Sequence, residues 1–428
     1  MATFAYKCPN CASPLTYAGA SGKMICAACD SQFDQEVIDA LNAPEDSGVV
    51  DFVTPTEKYS ASDAAQMQAY HCKSCGAELV TEGTTTATEC PYCGSPTILP
   101  DRIDGGIRPE LVVPFVITKE QAQKTFEEYF KGKKLLPNIF KKDNHIAEMR
   151  KLYVPYWLFD CDAEGDVVYD AEKKHTNRDG EWEVTTTEHY IVRRAGSMHF
   201  ENIPVDGSVK MDDKITESLE PYDLTKAVPF QPTVLSGAMA DHADVDAEAC
   251  EKRAVERVEK SVINSLRNTV SGFDSVSERR KSISSTGGKV SPVLMPVWLI
   301  TTKKEDKVYT FAINGQTGKL TCDVPTDKGK AFLWGAGAFA GVFGLGALAL
   351  HLMEMMGSGT LLGVGIVALI AALLVVSVLT GQLKQASSQS SAEGYSQEGC
   401  QLSVSYERYL YSRTTRRKIE TQSKEASA

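Results

Sequence analysis

Eight cysteines in the first 93 residues fall into four Cys-x-x-Cys pairs: Cys8/Cys11, Cys26/Cys29, Cys72/Cys75 and Cys90/Cys93. Two pairs separated by 14 intervening residues make one tetrahedral thiolate site, because each pair forms a tight knuckle and the hairpin between them brings the knuckles together. Adding 64 to each of the first four positions gives the second four, so the chain repeats one small module. The spacing predicts two zinc ribbons, residues 1–43 and 69–100, with one Zn2+ in each and two per chain. Gly76 and Gly94 directly follow the second and fourth cysteines of the later module, where glycine tolerates the left-handed turn of a knuckle; Ala12 and Asp30 take those places in the earlier one. Iron and disulfides are the competing readings. Iron would serve electron transfer, and no second redox group or flavin fingerprint accompanies it. Disulfides need an exported N-terminus, and Met1-Ala-Thr-Phe-Ala-Tyr-Lys7 has neither a basic start nor an apolar stretch.

The other end of the chain carries two apolar runs, Ala331 to Leu352 with 22 residues and Leu361 to Leu379 with 19, enough for about 33 and 28 Å of helix. Their connector is short, so both are expected to cross a bilayer as an antiparallel hairpin. Lys319, Lys328, Lys330 and Lys384 flank the pair and the connector has no Lys or Arg, which places both termini on the cytoplasmic side of the inner membrane. Gly337/Gly341 and Gly359/Gly363 have small-xxx-small spacing, read as helix packing within the hairpin or as a face for homo-oligomerisation.

Between these regions, residues 101–330 have the mixed patterning of an α+β domain. Strands are expected at Leu111 to Ile117, Tyr153 to Phe159, Asp166 to Tyr169, Trp182 to Arg193, Val293 to Thr301 and Lys307 to Ile313. Thr118 with Gln121 predicts a capping box and a helix to about Phe130, and a second helix should run from near Asp241 to Val270. Pro114, Pro155 and Pro296 each sit in a strand-like run, which predicts strand starts or edge strands and hints at related hairpin halves. Residues 44–68 read as a mobile linker and 380–428 as a Gln/Ser-rich linker with a basic tail near the headgroups.

No HExxH pair, G-x-S-x-G elbow or Walker loop is present, so no catalytic residue is predicted. The Asn314-Gly-Gln-Thr-Gly-Lys319 stretch lacks Walker spacing and reads as a hairpin turn in which Asn-Gly supplies positive φ. Cys161, Cys250, Cys322 and Cys400 read as buried or incidental thiols. The net charge of -11 argues against a general nucleic-acid binder, and residues 1 to 100 hold four lysines, no arginine and twelve acids. Such a surface favours protein partners over phosphate.

Phe230 to Ala240, Leu294-Met-Pro-Val-Trp298 and Tyr309 to Lys319, followed by a membrane hairpin, resemble the bacterial TFIIB-type zinc-ribbon-containing membrane proteins, sometimes mislabelled as primosomal helicase. Members usually show Gly-Phe where this chain has Gly237-Ala238. The resemblance implies association with SPFH-domain and phage-shock-type envelope-stress proteins. The expected function is a non-enzymatic, membrane-anchored adaptor or sensor. The alternative is a membrane-tethered, nucleic-acid-associated ribbon of the transcription or replication type.

Overall fold

Alternating apolar residues pair the middle of the chain into long antiparallel ladders, and helices form where caps and apolar stripes coincide. The computed structural model describes residues 6–19, 21–42, 52–85, 89–96, 98–101, 106–138, 149–304, 307–322, 324–354, 357–383 and 386–418. Strands β1 (Leu15–Ala18), β2 (Lys23–Cys26) and β3 (Gln32–Asp34) form a small sheet closed by α1 (Gln35–Asn42). Helix α2 (Ala61–Gln66) leads into β4 (Met67–Cys72), β5 (Glu78–Glu82), β6 (Ile98–Asp101) and β7 (Leu111–Val112). Helix α3 (Lys119–Phe130), β8 (Arg150–Asp179), β9 (Trp182–Asp206), α4 (Asp213–Leu219), β10 (Val228–Pro229) and β11 (Met239–Asp241) follow. Next come α5 (Ala247–Asn268), β12 (Ser275–Thr286), β13 (Val290–Lys304), β14 (Lys307–Asn314) and β15 (Leu320–Cys322). Apolar helices α6 (Lys328–Leu352) and α7 (Ser358–Gly381) precede the final strand, β16 (Gln401–Lys418). The result is the expected α+β layout with two apolar helices long enough to cross a membrane.

β4 to β16 belong to a single sheet, and six of its strands, β10-β7-β13-β8-β11-β5, read the same from either end. β8 and β13 pair antiparallel, with Pro155 opposite Leu294 and Tyr153 opposite Pro296. Outside them β11 and β7 run parallel, Ala240 beside Tyr153 and Val112 beside Leu294. β5 and β10 then add antiparallel, Val80 opposite Ala240 and Val228 opposite Val112. A two-fold axis between β8 and β13 therefore relates two halves, each a strand, a helix and a hairpin. Their helices start alike, with Thr118 and Asp246 as N-caps six residues beyond Val112 and Ala240.

This symmetry explains the prolines, which are not at strand starts or sheet edges as expected. Pro155 and Pro296 lie inside β8 and β13, where one neighbouring strand gives way to the next, so no ladder donor is missed. Their carbonyls accept from Gly207 N and Gly315 N at 2.9 and 2.8 Å, in equivalent places of the two halves. Asn314 does not supply positive φ either. Its buried side chain accepts from the amides of Gln316 and Thr317, and the left-handed residue of the turn is Gly318, φ 77°. Gly315 is small for a different reason: a Cβ there would stand 2.6 Å from the Phe115 ring.

Helix α5 lays Cys250, Ala254, Val258, Val262 and Leu266 over β8 and β9, and Cys161, Cys250 and Cys322 are buried. Helix α3 has the capping box its sequence predicts and packs Phe126 and Phe130 on Phe311. Its far end meets the base of the apolar hairpin, where the Tyr129 hydroxyl donates to Leu383 O and Lys133 Nζ to Gln382 O.

The terminal segments depart from expectation. Part of the supposed 44–68 linker is ordered: Ser60 and Asp63 form a reciprocal cap on α2, and Val53 bridges to Lys289. Residues 386–396 are bound along α4 and α5: Ser387 exchanges hydrogen bonds with Ser218, Gln389 N donates to Glu217, and Ala392 N donates to Ser261 Oγ. Tyr395 donates to Glu220, itself in a buried ion pair with Arg257 at 2.7 Å. The basic tail is strand β16, paired with β9 so that Lys418 sits opposite Trp182 at the tip of the β8–β9 hairpin. The helix seam also differs. Gly335 and Gly346 face Val376 and Val364, whereas Gly337, Gly341, Gly359 and Gly363 have nothing near their Cα hydrogens. Lys384, Lys424, Glu420, Glu425 and His145 lie outside the described residues.

Candidate metal centres

Each knuckle is built by a backbone turn. In the first ribbon Ala12 N donates to Cys8 O and Cys26 N to Ser31 O; in the second, Gly76 N donates to Cys72 O and Gly94 N to Cys90 O. All four turn residues are left-handed, with φ of 61° at Ala12, 53° at Asp30, 71° at Gly76 and 70° at Gly94. The turns bring the thiols together as the spacing predicts. Cys8–Cys29 and Cys11–Cys26 stand at 3.6 and 3.4 Å between sulfurs, and Cys72–Cys93 and Cys75–Cys90 at 3.7 and 3.6 Å. The four sulfurs of each cluster lie within 4.8 Å of one another. A tetrahedral ion with Zn–S bonds of about 2.3 Å needs sulfur separations of about 3.8 Å, so both cages fit one such ion. Four soft thiolates with no fifth donor make a closed site, suited to holding a fold.

The clusters sit in unlike surroundings. In the first, burial pushes the Cys8 thiol up to about 12, while the Ser31 hydroxyl, 3.2 Å away, brings the half-buried Cys29 down to about 6. Cys8, Cys26, Leu15, Met24, Phe33 and Ile38 form a separate small core. That ribbon rides on the hairpin arm, with Val37 and Ala40 against Val168, Ile191 and Leu410. Arg408 approaches Asp34 at 3.9 Å and Arg413 donates to Asn10 O, so these two cations of the tail meet the first ribbon.

The second ribbon is part of the large sheet. β5 pairs with β11, and Cys72, Cys90, Leu79 and Tyr92 share a core with Val154, Tyr156 and Val293. Arg150 ties it further, with Nη1 donating to Cys90 O at 3.1 Å and the other amino group bonded to Glu89. Lys210 Nζ donates to Cys75 O at 3.1 Å. Beneath the knuckle the Tyr92 and Ser208 hydroxyls both donate to Asp241, each at 2.5 Å. Burial pushes that carboxyl up to about 7. Sequence reasoning missed this junction because Tyr92 and Asp241 are 149 residues apart.

No family model matches the chain, and no solved structure does. It is similar to the uncharacterized protein YdjG of Bacillus subtilis (strain 168), 34% identical over 356 residues, which are 83% of this chain and 98% of that protein. The chain belongs to the YdjG family. In the present chain the two cysteine clusters and the apolar helix pair stand toward opposite ends of the sequence, with the large sheet between them.

Proposed function

We propose that the protein is a zinc-ribbon adaptor of the cytoplasmic membrane, anchored by α6 and α7 with both termini inside, which docks protein partners through its first ribbon. The observation that carries this reading is where that ribbon rides. Val168 lies 18 residues along β8 from Arg150, about 60 Å of strand, whereas the apolar hairpin joins the sheet near Trp298, opposite the start of β8. A closed tetrathiolate module held far along an arm is well placed to meet other proteins. Its acidic surface, deepened by about two negative charges for a zinc bound to four thiolates, opposes nucleic acid and favours a basic patch.

The cytoplasmic orientation is supported by the cations at the hairpin base. Lys133 caps Gln382 O, Lys134 stands 4.0 Å above the Trp334 ring, and Lys330 caps Leu136 O. The likeness to TFIIB-type zinc-ribbon membrane proteins nominates SPFH-domain or phage-shock-type proteins as partners. The test removes residues 1–43 only, because β4 to β6 belong to the main sheet and must stay. Full-length and shortened protein are compared for co-purification of SPFH and phage-shock proteins from native membranes. Loss of the partner with the shortened form supports docking; unchanged recovery rejects it. Submicromolar DNA binding at physiological salt would favour the nucleic-acid reading instead.

A further inference from the structure

The two-fold relation between the halves places two clefts in equivalent positions, and their charges are opposite. Each is built around a tryptophan that hydrogen-bonds the chain just before a helix. Trp298 Nε1 donates to Ile117 O at 2.9 Å ahead of α3, and Trp157 Nε1 donates to Val245 O at 2.8 Å ahead of α5. Ile117 and Val245 stand one residue before the N-caps Thr118 and Asp246. The cleft at Trp298, about 450 Å³, is lined by Lys119, Arg150, Lys151, Met149 and Met239 among others. Its counterpart at Trp157, about 390 Å³, is rimmed by Asp246, Glu248 and Glu251.

We propose that the Trp298 cleft is a binding site for a small organic anion, a carboxylate or phosphate carried on a planar apolar body, and that the Trp157 cleft is its acidic counterpart, which rejects such ligands. The Lys151 ammonium lies 5.2 Å from the Phe115 ring centre and 5.6 Å from that of Trp298. Among the described residues it has no carboxylate within ion-pair distance, so it is held against aromatic faces with its charge unmatched. Arg150 is different, since Glu89 and the Cys90 carbonyl hold its guanidinium in place at the wall. Lys119 also lines the cleft, the Glu89 carboxylate there being paired with Arg150, and Met149 and Met239 supply adaptable apolar walls for the ligand body. An anion between Lys119 and Lys151 gains charge-assisted hydrogen bonds that the same scaffold cannot offer at Trp157.

The experiment is calorimetric titration of the detergent-solubilised, zinc-loaded full chain with phenyl phosphate. The expected result is one molecule bound per chain with Kd below about 1 mM, inorganic phosphate at least about tenfold weaker, and no competition from benzylamine. Tenfold corresponds to about 1.4 kcal/mol. Lys119→Gln with Lys151→Gln should weaken phenyl phosphate at least tenfold, while Glu248→Gln with Glu251→Gln leaves it unchanged. Should the double lysine variant fail to keep its zinc and melting temperature, Lys151→Glu alone serves and should abolish binding. No binding up to about 10 mM, or equal affinity in a folded lysine variant, overturns the site; equal affinity for inorganic phosphate overturns the planar body.

Discussion

At the scale of single residues, the left-handed knuckles are where the two ribbons differ most in strain. An L side chain in this region is disfavoured by roughly 1–2 kcal/mol, less for Asp, whose short polar side chain suits it. Ala12, φ 61°, is therefore the strained position. Ala12→Gly should stabilise the first ribbon by about 1 kcal/mol, read as slower zinc release to a chelator; no change in that rate would contradict the assignment. Asp241 offers a test in pH. Its folded carboxyl titrates near 7, above the unfolded value, so the folded state holds a proton through the window between them. Stability from this group is present below about pH 4 and is lost as pH rises to about 7. Asp241→Asn should remove that loss. The difference in melting temperature between wild type and variant should then grow in favour of the variant from pH 5 to 8. A constant difference would show that the carboxyl is not protonated in the fold. Much at this scale is legible in the sequence: the clustering of the eight cysteines follows from Cys-x-x-Cys spacing, and the α3 cap from Thr118 and Gln121. Asp241 was not, because nothing near it in sequence announces the burial that moves its titration.

Among the elements, those decided by short-range pattern were legible and those decided by pairing were not. Helix α5 falls within the expected run but starts at Ala247, because Asp241 belongs to β11, and β13 and β14 contain the strands expected of them. The separate strands expected at Tyr153 to Phe159 and Asp166 to Tyr169 are one strand, β8, whose partner β9 runs on to Asp206, and the strand expected at Leu111 to Ile117 shortens to Leu111–Val112. β16 is not announced by its sequence because Arg408, Arg413, Arg416 and Arg417 crowd a run in which only Val404 and Tyr406 alternate as half-buried residues, and only pairing with β9 makes it a strand. The Gln/Ser-rich segment was misread for a related reason: serines that suit a linker also suit hydrogen bonding to Ser218, Glu217 and Ser261. The unlike settings of the ribbons give an element-scale prediction. Cys26→Ser should unfold the first ribbon alone and leave the main thermal transition in place, whereas Cys90→Ser should lower or abolish it, because β4 and β5 pair within the large sheet. Equal effects of the two would contradict the architecture. In the apolar pair, Gly346→Leu should separate the helices, since a Cβ there would lie 2.5 Å from Val364, whereas Gly341→Leu should not. Cysteine cross-linking between α6 and α7 measures this, and equal yields would refute the seam.

Viewed as a whole molecule, the chain is a two-fold related sheet with an apolar hairpin at one end of β8 and β13 and a four-cysteine module far along the β8–β9 arm. The duplication was only hinted at by the Val-Pro-Tyr-Trp and Met-Pro-Val-Trp runs, because each half lends a strand to the other and the exchange is invisible to local pattern. The orientation predicts that a membrane-impermeant thiol reagent leaves Cys400 unlabelled in intact cells and labels it in lysed ones; labelling in intact cells would reverse the topology. The ribbon and adaptor readings rest on the two cysteine clusters being zinc sites. The most direct measurement is elemental analysis of the purified full-length protein combined with zinc-edge X-ray absorption. Two zinc ions per chain, each with four sulfur neighbours at about 2.3 Å, is the predicted result. Iron in their place, or less than one metal ion per chain, would contradict it.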